Sequence, residues 1–194
     1  KHDVDIDIGI NYEDLLFEEI ISNIKNTSLF FIKKLEYLNQ GYFLKDKYVN
    51  SYQKKLVLIK VIHRTGLNID LFIHYREKQV CWHGSSYHRW ENHLFELKGY
   101  CLKGIEVLGP KNAELYLTEN YGNWRIPVIE FNYSIGTPNL SISRNPSSIA
   151  MLLKNMSMFR SEESFLRNKS LLYKLNILSK NQIFDLRCLQ ESLS

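Results

Sequence analysis

The stretch "DVDIDIG" sets Asp3, Asp5 and Asp7 at alternate positions, with Val4, Ile6 and Ile8 between them. Alternation with a period of two is the mark of a β-strand, so the three carboxylates share one face, about 7 Å from one to the next. Like charges so placed repel unless cations or ligand donors neutralise them. Mg2+ and Mn2+, which prefer hard oxygen ligands and often combine two carboxylates with phosphate oxygens, are one solution. A strand end whose acids simply face water is the other, and Asp-x-Asp alone does not choose between them.

A further acid sharpens the question. Asp70 lies in "LNIDLFIHY", flanked by Ile69, Leu71 and Phe72, where an unpaired buried carboxylate would be costly. It either pairs with a Lys or Arg, or completes a three-carboxylate site with Asp5 and Asp7 on an adjacent strand, Asp3 then having a flanking role. Such a site would hold divalent metal around a phosphoryl centre, with the metal stabilising charge on the attacking and leaving oxygens. A carboxylate would accept the proton of the acceptor hydroxyl, and Asp70 is the candidate nearest that place.

Two other stretches carry chemistry-bearing residues. "ENYGNWRIPV" (119–128) puts Tyr121 and Trp124 beside Arg125, an aromatic platform next to a charged fork suited to phosphate. The same residues also suit a core tryptophan and a surface ion pair. "CWHGSSYHRW" (81–90) reads as a loop that clusters Trp82, His83, His88 and Trp90; stacking on a sugar or base is open to it, whereas zinc lacks a third ligand.

The elements that must position these residues follow from periodicity. The acidic strand leads through Gly9, which allows a close backbone approach, into a helix over "YEDLLFEEIISNIKN", with Asn11 as its cap and Leu15, Leu16, Ile20, Ile21 and Ile24 at helical spacing. A stretch of mixed character follows. "KKLVLIKVIH" (54–63) and "LNIDLFIHYREKQVCWHG" (67–84) then predict two strands joined by "RTG". Two short strands around Gly99 and Gly104 precede a helix begun after Pro110 and stopped by Gly122. Helical pieces near "SSIAMLLKNMSMF" and "KSLLYKLNILSKNQIFDLRCL" form a C-terminal helical extension over 141–194. The expected fold class is α+β: a small mixed sheet with helices packed on it, in a domain over residues 1–140.

Composition sets the limits. At 194 residues, 44% of them hydrophobic, the chain is long enough for one domain with a real core. A net charge of +4 is too mild to argue for nucleic acid as a partner, yet compatible with a phosphorylated ligand. No apolar run approaches the roughly 20 residues of a membrane helix. Three cysteines, Cys81, Cys101 and Cys188, make no disulfide framework and no CxxC pair. Five Asn-x-Ser/Thr sequons, at Asn26, Asn132, Asn139, Asn155 and Asn168, suit a secretory-pathway protein if they lie at the surface.

Taken together, "HDVDIDIG" (2–9), "IDLFIHY" (69–75), "CWHG" (81–84), "YLTENYGNWRIPV" (116–128) and "TPNL" (137–140) resemble, in order, the motifs of the LicD/fukutin phosphotransferases. The resemblance covers about residues 2–140 and implies a nucleotidyltransferase-like fold whose upstream part, a Gly-Ser-containing helix and an Arg, precedes Lys1. It implies transfer of a phosphorylated alcohol from a CDP-linked donor, CDP-ribitol in fukutin-like members or CDP-choline in bacterial ones, to a hydroxyl of a glycan or glycoprotein with release of CMP. Carried onto matching positions, Asp5, Asp7 and Asp70 would bind Mg2+ or Mn2+, and Tyr121, Trp124 and Arg125 would lie near donor or acceptor. The Golgi lumen is the compartment expected of a fukutin-like member, with a membrane anchor outside these residues, and the cytoplasm that of a bacterial one. The alternative is a relative that keeps the fold and binds or scaffolds glycans without turnover.

Overall fold

The computed structural model of the chain describes residues 5–44, 47–86, 88–127, 137–142, 146–157 and 162–174. Asp3, Tyr87, Val128, Asn132, Cys188 and the later part of the expected C-terminal helix, from Leu175 on, lie outside them.

The architecture is α+β, with a mostly antiparallel mixed sheet. Strand β1 (Asp5–Asn11) pairs in parallel with β4 (Asn68–Glu77), and β4 also pairs antiparallel with β3 (Lys47–His63) and β5 (Val80–Gly84). Strand β2 (Phe30–Leu44) extends the sheet beyond β3, while β6 (His88–His93) and the short β9 (Leu140–Ile142) extend it beyond β5. The seven strands exceed the small sheet expected from the sequence. A separate hairpin, β7 (Leu97–Leu102) and β8 (Ile105–Pro110), turns at Lys103-Gly104 as the glycines there suggest.

Residues 30–44, of mixed character by composition, are the strand that periodicity misses. Register shifts between Ile32 and Lys34, Glu36 and Tyr37, and Asn39 and Gly41 interrupt the alternation that would identify β2. The segment 67–84 is two strands, broken at Lys78, whose φ of 53° turns the chain.

The first helix also differs from expectation. Asn11 is the last residue of β1, and its side chain does not cap a helix; its Nδ2 donates to Asp14 Oδ2 at 3.1 Å across a single 3-10 turn, Tyr12–Asp14. The α-helix α1 begins at Phe17 and runs to Asn26. It lays Phe17 and Ile24 against the sheet, with Ile10 and Leu15, over a core of Leu38, Val57, Ile59, Ile73 and Trp82. Fully burying side chains of this size contributes about 1.5–3 kcal/mol each; β1 itself adds only the partly buried Ile10, Ile6 and Ile8 being 45% and 44% exposed, and is held to β4 by its parallel backbone ladder.

Helix α2 (Ala113–Tyr121) agrees with the sequence at both ends. Asn112 caps it by accepting from Leu115 N at 3.1 Å, and Gly122, at φ 65°, stops it. Its Tyr116 meets Phe95 edge to face at 5.4 Å, and Glu119 accepts from Asn92 Nδ2 at 3.0 Å and pairs with His93, so α2 is tied to the β6 end of the sheet. Helices α3 (Pro146–Ser157) and α4 (Glu162–Lys174) pack together through Leu152, Met156, Phe165 and Leu172, with Leu140 of β9 alongside. Asn168 is wholly buried in α4, so that sequon cannot accept a glycan in the folded chain. No helix among the described residues is long and apolar enough to cross a membrane.

The segment 81–90, expected as a loop, is the β5–β6 hairpin. Trp82 is fully buried, stacked on Tyr75 at 4.7 Å and covered by the Arg89 guanidinium at 4.3 Å; Ser85 N donates to the His88 carbonyl at 3.0 Å to close the turn. A Cβ at Gly84 would sit 2.3 Å from that same carbonyl oxygen. Gly84→Ala is therefore expected to destabilise the fold by about 2 kcal/mol. Gly99→Ala, on β7 with nothing within 4 Å, is expected to leave stability unchanged. Thermal melting checks both, and equal melting temperatures for the two variants would count against the close approach.

Candidate functional site

Strand β1 presents Asp5, Asp7 and Gly9 on one face and Ile6, Ile8 and Ile10 on the other. Its parallel register sets Asp7 directly opposite Asp70, and Asp5 opposite Asn68. Carboxylate oxygens of Asp5, Asp7 and Asp70 come within 4.8 Å of one another, so the sequence's three candidate ligands are gathered at one point. Asp5 and Asp7 are exposed, whereas Asp70, 8% exposed, forms the floor.

All three donors are hard oxygens, the donor set that Mg2+ and Mn2+ prefer. With metal–oxygen distances near 2.1 Å, ligand oxygens around one Mg2+ are about 3–4 Å apart, a small side-chain adjustment from the spacing found here. Where the sequence left two outcomes for Asp70, the structure has features of both. Lys60 Nζ on β3 donates to Asp70 Oδ2 at 2.6 Å, from the residue directly across in register. A carboxylate has about four lone-pair sites over two oxygens, so this ion pair leaves Asp70 able to ligate. Lys60 is a functional candidate that motif reading passes over; its signal was a lone cation inside the apolar run "LVLIKVIH".

Beyond the acids the same face becomes aromatic and apolar. Gly9 leaves room for His74, whose Nε2 would lie only 2.9 Å from a Cβ there, so the approach that glycine permits is that of an imidazole. His74 Nδ1 meets the Cys81 thiol at 3.6 Å, its ring stacks on His83 at 4.6 Å, and His83 stacks on Trp90 at 5.5 Å. Burial pushes the His74 pKa down to about 4, and burial with the neighbouring His74 pushes that of His83 down to about 3. These rings are neutral at pH 7 and bring no positive charge to the acids. His83 and His88 lie in β5 and β6 with their rings stacked on Trp90 at 5.5 Å and 5.3 Å.

Tyr116 on α2 is a second residue that motif reading passes over. Burial first, then Tyr121, Cys81, Asp7 and Glu119, pushes its hydroxyl up to about 12, so the phenol stays protonated close to Asp7. Tyr121, half exposed, ends the same helix. The Arg125 guanidinium lies 4.3 Å from the Trp124 ring and pairs with Glu114 at the start of α2, the surface ion pair that the sequence also allowed. Trp124 is half-buried, and its Nε1 has no partner among the described residues. The "TPNL" segment is structural. Thr137 Oγ1 accepts from Trp90 Nε1 at 2.9 Å, and Asn139 Nδ2 donates to Asn120 Oδ1 at 3.0 Å, joining β6 to α2.

No family model, curated protein or solved structure matches the chain.

Proposed function

We propose that the chain is a metal-dependent phosphotransferase of the LicD/fukutin kind, with a nucleotidyltransferase-like core, moving a phosphorylated alcohol from a CDP-linked donor to a glycan hydroxyl. One observation carries the reading: Asp5 and Asp7 of the first strand motif meet Asp70 of the second across a parallel register, with oxygens within 4.8 Å. Two strands far apart in the chain bring together the acids that the motifs single out.

Asp5 and Asp7 hold Mg2+ or Mn2+, and Asp70 completes the site. When bound, the cation neutralises charge on the phosphoryl oxygens. The acceptor oxygen attacks the phosphorus of the phosphorylated alcohol, the bond from that phosphorus to the bridging oxygen of CMP breaks, and CMP leaves with the electron pair. Asp70 is the candidate to take up the proton of the attacking hydroxyl. The aromatic faces of Tyr121 and Trp124 and the Arg125 fork serve donor or acceptor groups. The donor is a CDP-linked sugar alcohol, ribitol in a fukutin-like setting in the Golgi lumen, or choline in a bacterial one.

The test incubates the protein with labelled CDP-ribitol or CDP-choline, a glycan acceptor and Mg2+ or Mn2+, and measures CMP release and labelled glycan. Turnover that stops with chelator supports the reading. Absence of CMP release with either donor, although the protein is folded and binds Mn2+, removes it. The Lys60–Asp70 ion pair favours one second reading, a glycan-binding relative without turnover, because an ammonium already balances part of the acidic charge. That reading expects glycan binding unaffected by chelator.

A further inference from the structure

Linking a sugar to asparagine requires an Asn-x-Ser/Thr sequence and a fold in which the modified amide meets solvent, because the group added is bulky and hydrophilic. Such sequences begin at Asn26, Asn132, Asn139, Asn155 and Asn168, and the side chains of Asn26, Asn139 and Asn168 are among those described. The fold treats these three differently.

Two of them are closed. Asn168 is wholly buried in α4. Asn139 Nδ2 donates to Oδ1 of the buried Asn120 at 3.0 Å, its backbone N donates to the Glu119 carbonyl at 3.2 Å, and its own carbonyl accepts from Glu91 N at 3.1 Å. The hydroxyl residue of that sequence, Ser141, is opposite Arg89 in the β6–β9 ladder. A sugar on Asn139 would therefore have to fit into the joint between β6 and α2 that Asn139 itself makes.

Asn26 is open. It is the last residue of α1 and stands nine residues, about two and a half turns, from Phe17, so it projects from the side of the helix opposite the one that packs on the core. Ser22, Asn23 and Lys25 beside it are exposed as well. The Asn26 amide donates to Ser22 Oγ at 3.3 Å, a bond between two exposed side chains, and an amide nitrogen that carries a sugar keeps one hydrogen with which to retain it. Thr27 leaves the helix in extended conformation, φ −104° and ψ 142°, and its Oγ1 accepts from Leu29 N at 3.2 Å. Ser28, which supplies the hydroxyl of this sequence, is exposed in the bend that follows. Helix α1 covers the sheet face of Ile10, whereas Asp5 and Asp7 point to the other, so a glycan here leaves the acids uncovered.

We propose that Asn26 is an N-glycan acceptor in a chain that passes through a secretory lumen, the donor being an oligosaccharide on a lipid pyrophosphate. Asn26 Nδ2 forms a bond to the anomeric carbon of the first sugar as the bond from that carbon to the pyrophosphate oxygen breaks. The lipid pyrophosphate leaves with the electron pair, and the amide gives up one proton to a base of the transferring enzyme. This site is independent of the metal reading, since it needs the exposed end of α1 and no turnover by the chain.

The experiment directs the protein into the secretory pathway of eukaryotic cells with a cleavable signal, and reads the folded, signal-cleaved protein by peptide mass spectrometry after enzymatic removal of N-glycans, which leaves Asp where a glycosylated Asn stood. Asn26 is expected to be read as Asp, and Asn139 and Asn168 as Asn. Ser28→Ala, which leaves Asn26 in place, abolishes the conversion, and Ser28→Thr, which keeps the hydroxyl, retains it. Asn23→Gln, at an exposed asparagine outside any such sequence, leaves it unchanged. Recovery of Asn26 as unmodified Asn in the folded protein overturns the proposal, as does a conversion that survives Ser28→Ala.

Discussion

Asp7→Asn is expected to lower metal-dependent CMP release by on the order of 1,000-fold and to weaken Mn2+ binding, with little change in melting temperature. Asp7 is the central acid of the cluster, set opposite Asp70 in the parallel register. The amide keeps the side chain's shape but removes a full negative charge from the donor set, and metal stabilisation of phosphoryl transfer is worth several kcal/mol, with each 1.36 kcal/mol a factor of about ten in rate. The fold should tolerate it because Asp7 is exposed and its neighbour Asp70 is relieved of a like charge. The comparison that gives the result its meaning is Asp14→Asn, an acid in the turn after β1 that is not one of the gathered three. Loss of turnover in Asp7→Asn alone supports the metal site; equal retention in both sinks the catalytic reading.

The second large effect is on stability in mild acid. Burial holds the pKa of His74 and His88 at about 4 and that of His83 at about 3, below the 6.5 of an unfolded histidine. Each ring is neutral in the folded chain and protonates more readily when unfolded. The stability that this represents is fully present above pH 6.5 and is lost as pH falls from there toward the folded values. At about pH 5 the loss is about 2 kcal/mol per histidine, a large share of a typical 5–15 kcal/mol. Carboxylates held low by partners, such as Glu36 with Lys34 and Ser86, lose their contribution only as pH falls below about 4.5, so the window from 6.5 to 4.5 belongs to the rings. Melting temperature is expected to be flat above about pH 7 and to fall by roughly 10 °C or more by about pH 5. His83→Phe keeps the stacking on His74 and Trp90, removes an Nδ1 that has no partner among the described residues, and should make the fall shallower. A melting temperature constant across that interval would show that the three rings are not buried as described.

Much of the candidate site was legible in the chain because strand alternation is local. Asp5 and Asp7 announce their shared face through Ile6 and Ile8, and Asp70 stands out among Ile69, Leu71 and Phe72 as a charge that must be compensated. The bounds of α2 were legible for a similar reason, since Pro110 just before its start and Gly122 at its end act within a few residues of themselves, while the Asn112 cap is seen in the structure. The 81–90 hairpin was not, because "GSS" reads as loop while what makes it sheet is remote: the burial of Trp82 against Tyr75 and the bond from Ser86 to Glu36, 50 residues away. β2 escaped because two of its register shifts, between Ile32 and Lys34 and between Asn39 and Gly41, insert an extra residue into β2 and reverse the alternation that would have marked it.

Which residues carry charge on the two acid-bearing strands, and to which face each points, is already written in the order of the amino acids, because a strand's side chains alternate whatever lies beside it. What stands opposite what is not written there. That Asp7 meets Asp70 rather than Ile69 or Leu71, and that Asp70 faces Lys60 and Lys60 faces Lys34, follows from register between segments far apart in the chain. A slip of one residue would turn the acids of β1 away from Asp70. The backbone ladder of β1 on β4, with Ile10 and α1 against the core of Ile73, Val57, Ile59 and Trp82, holds that register, so the site's composition is a property of the chain and its assembly a property of the fold.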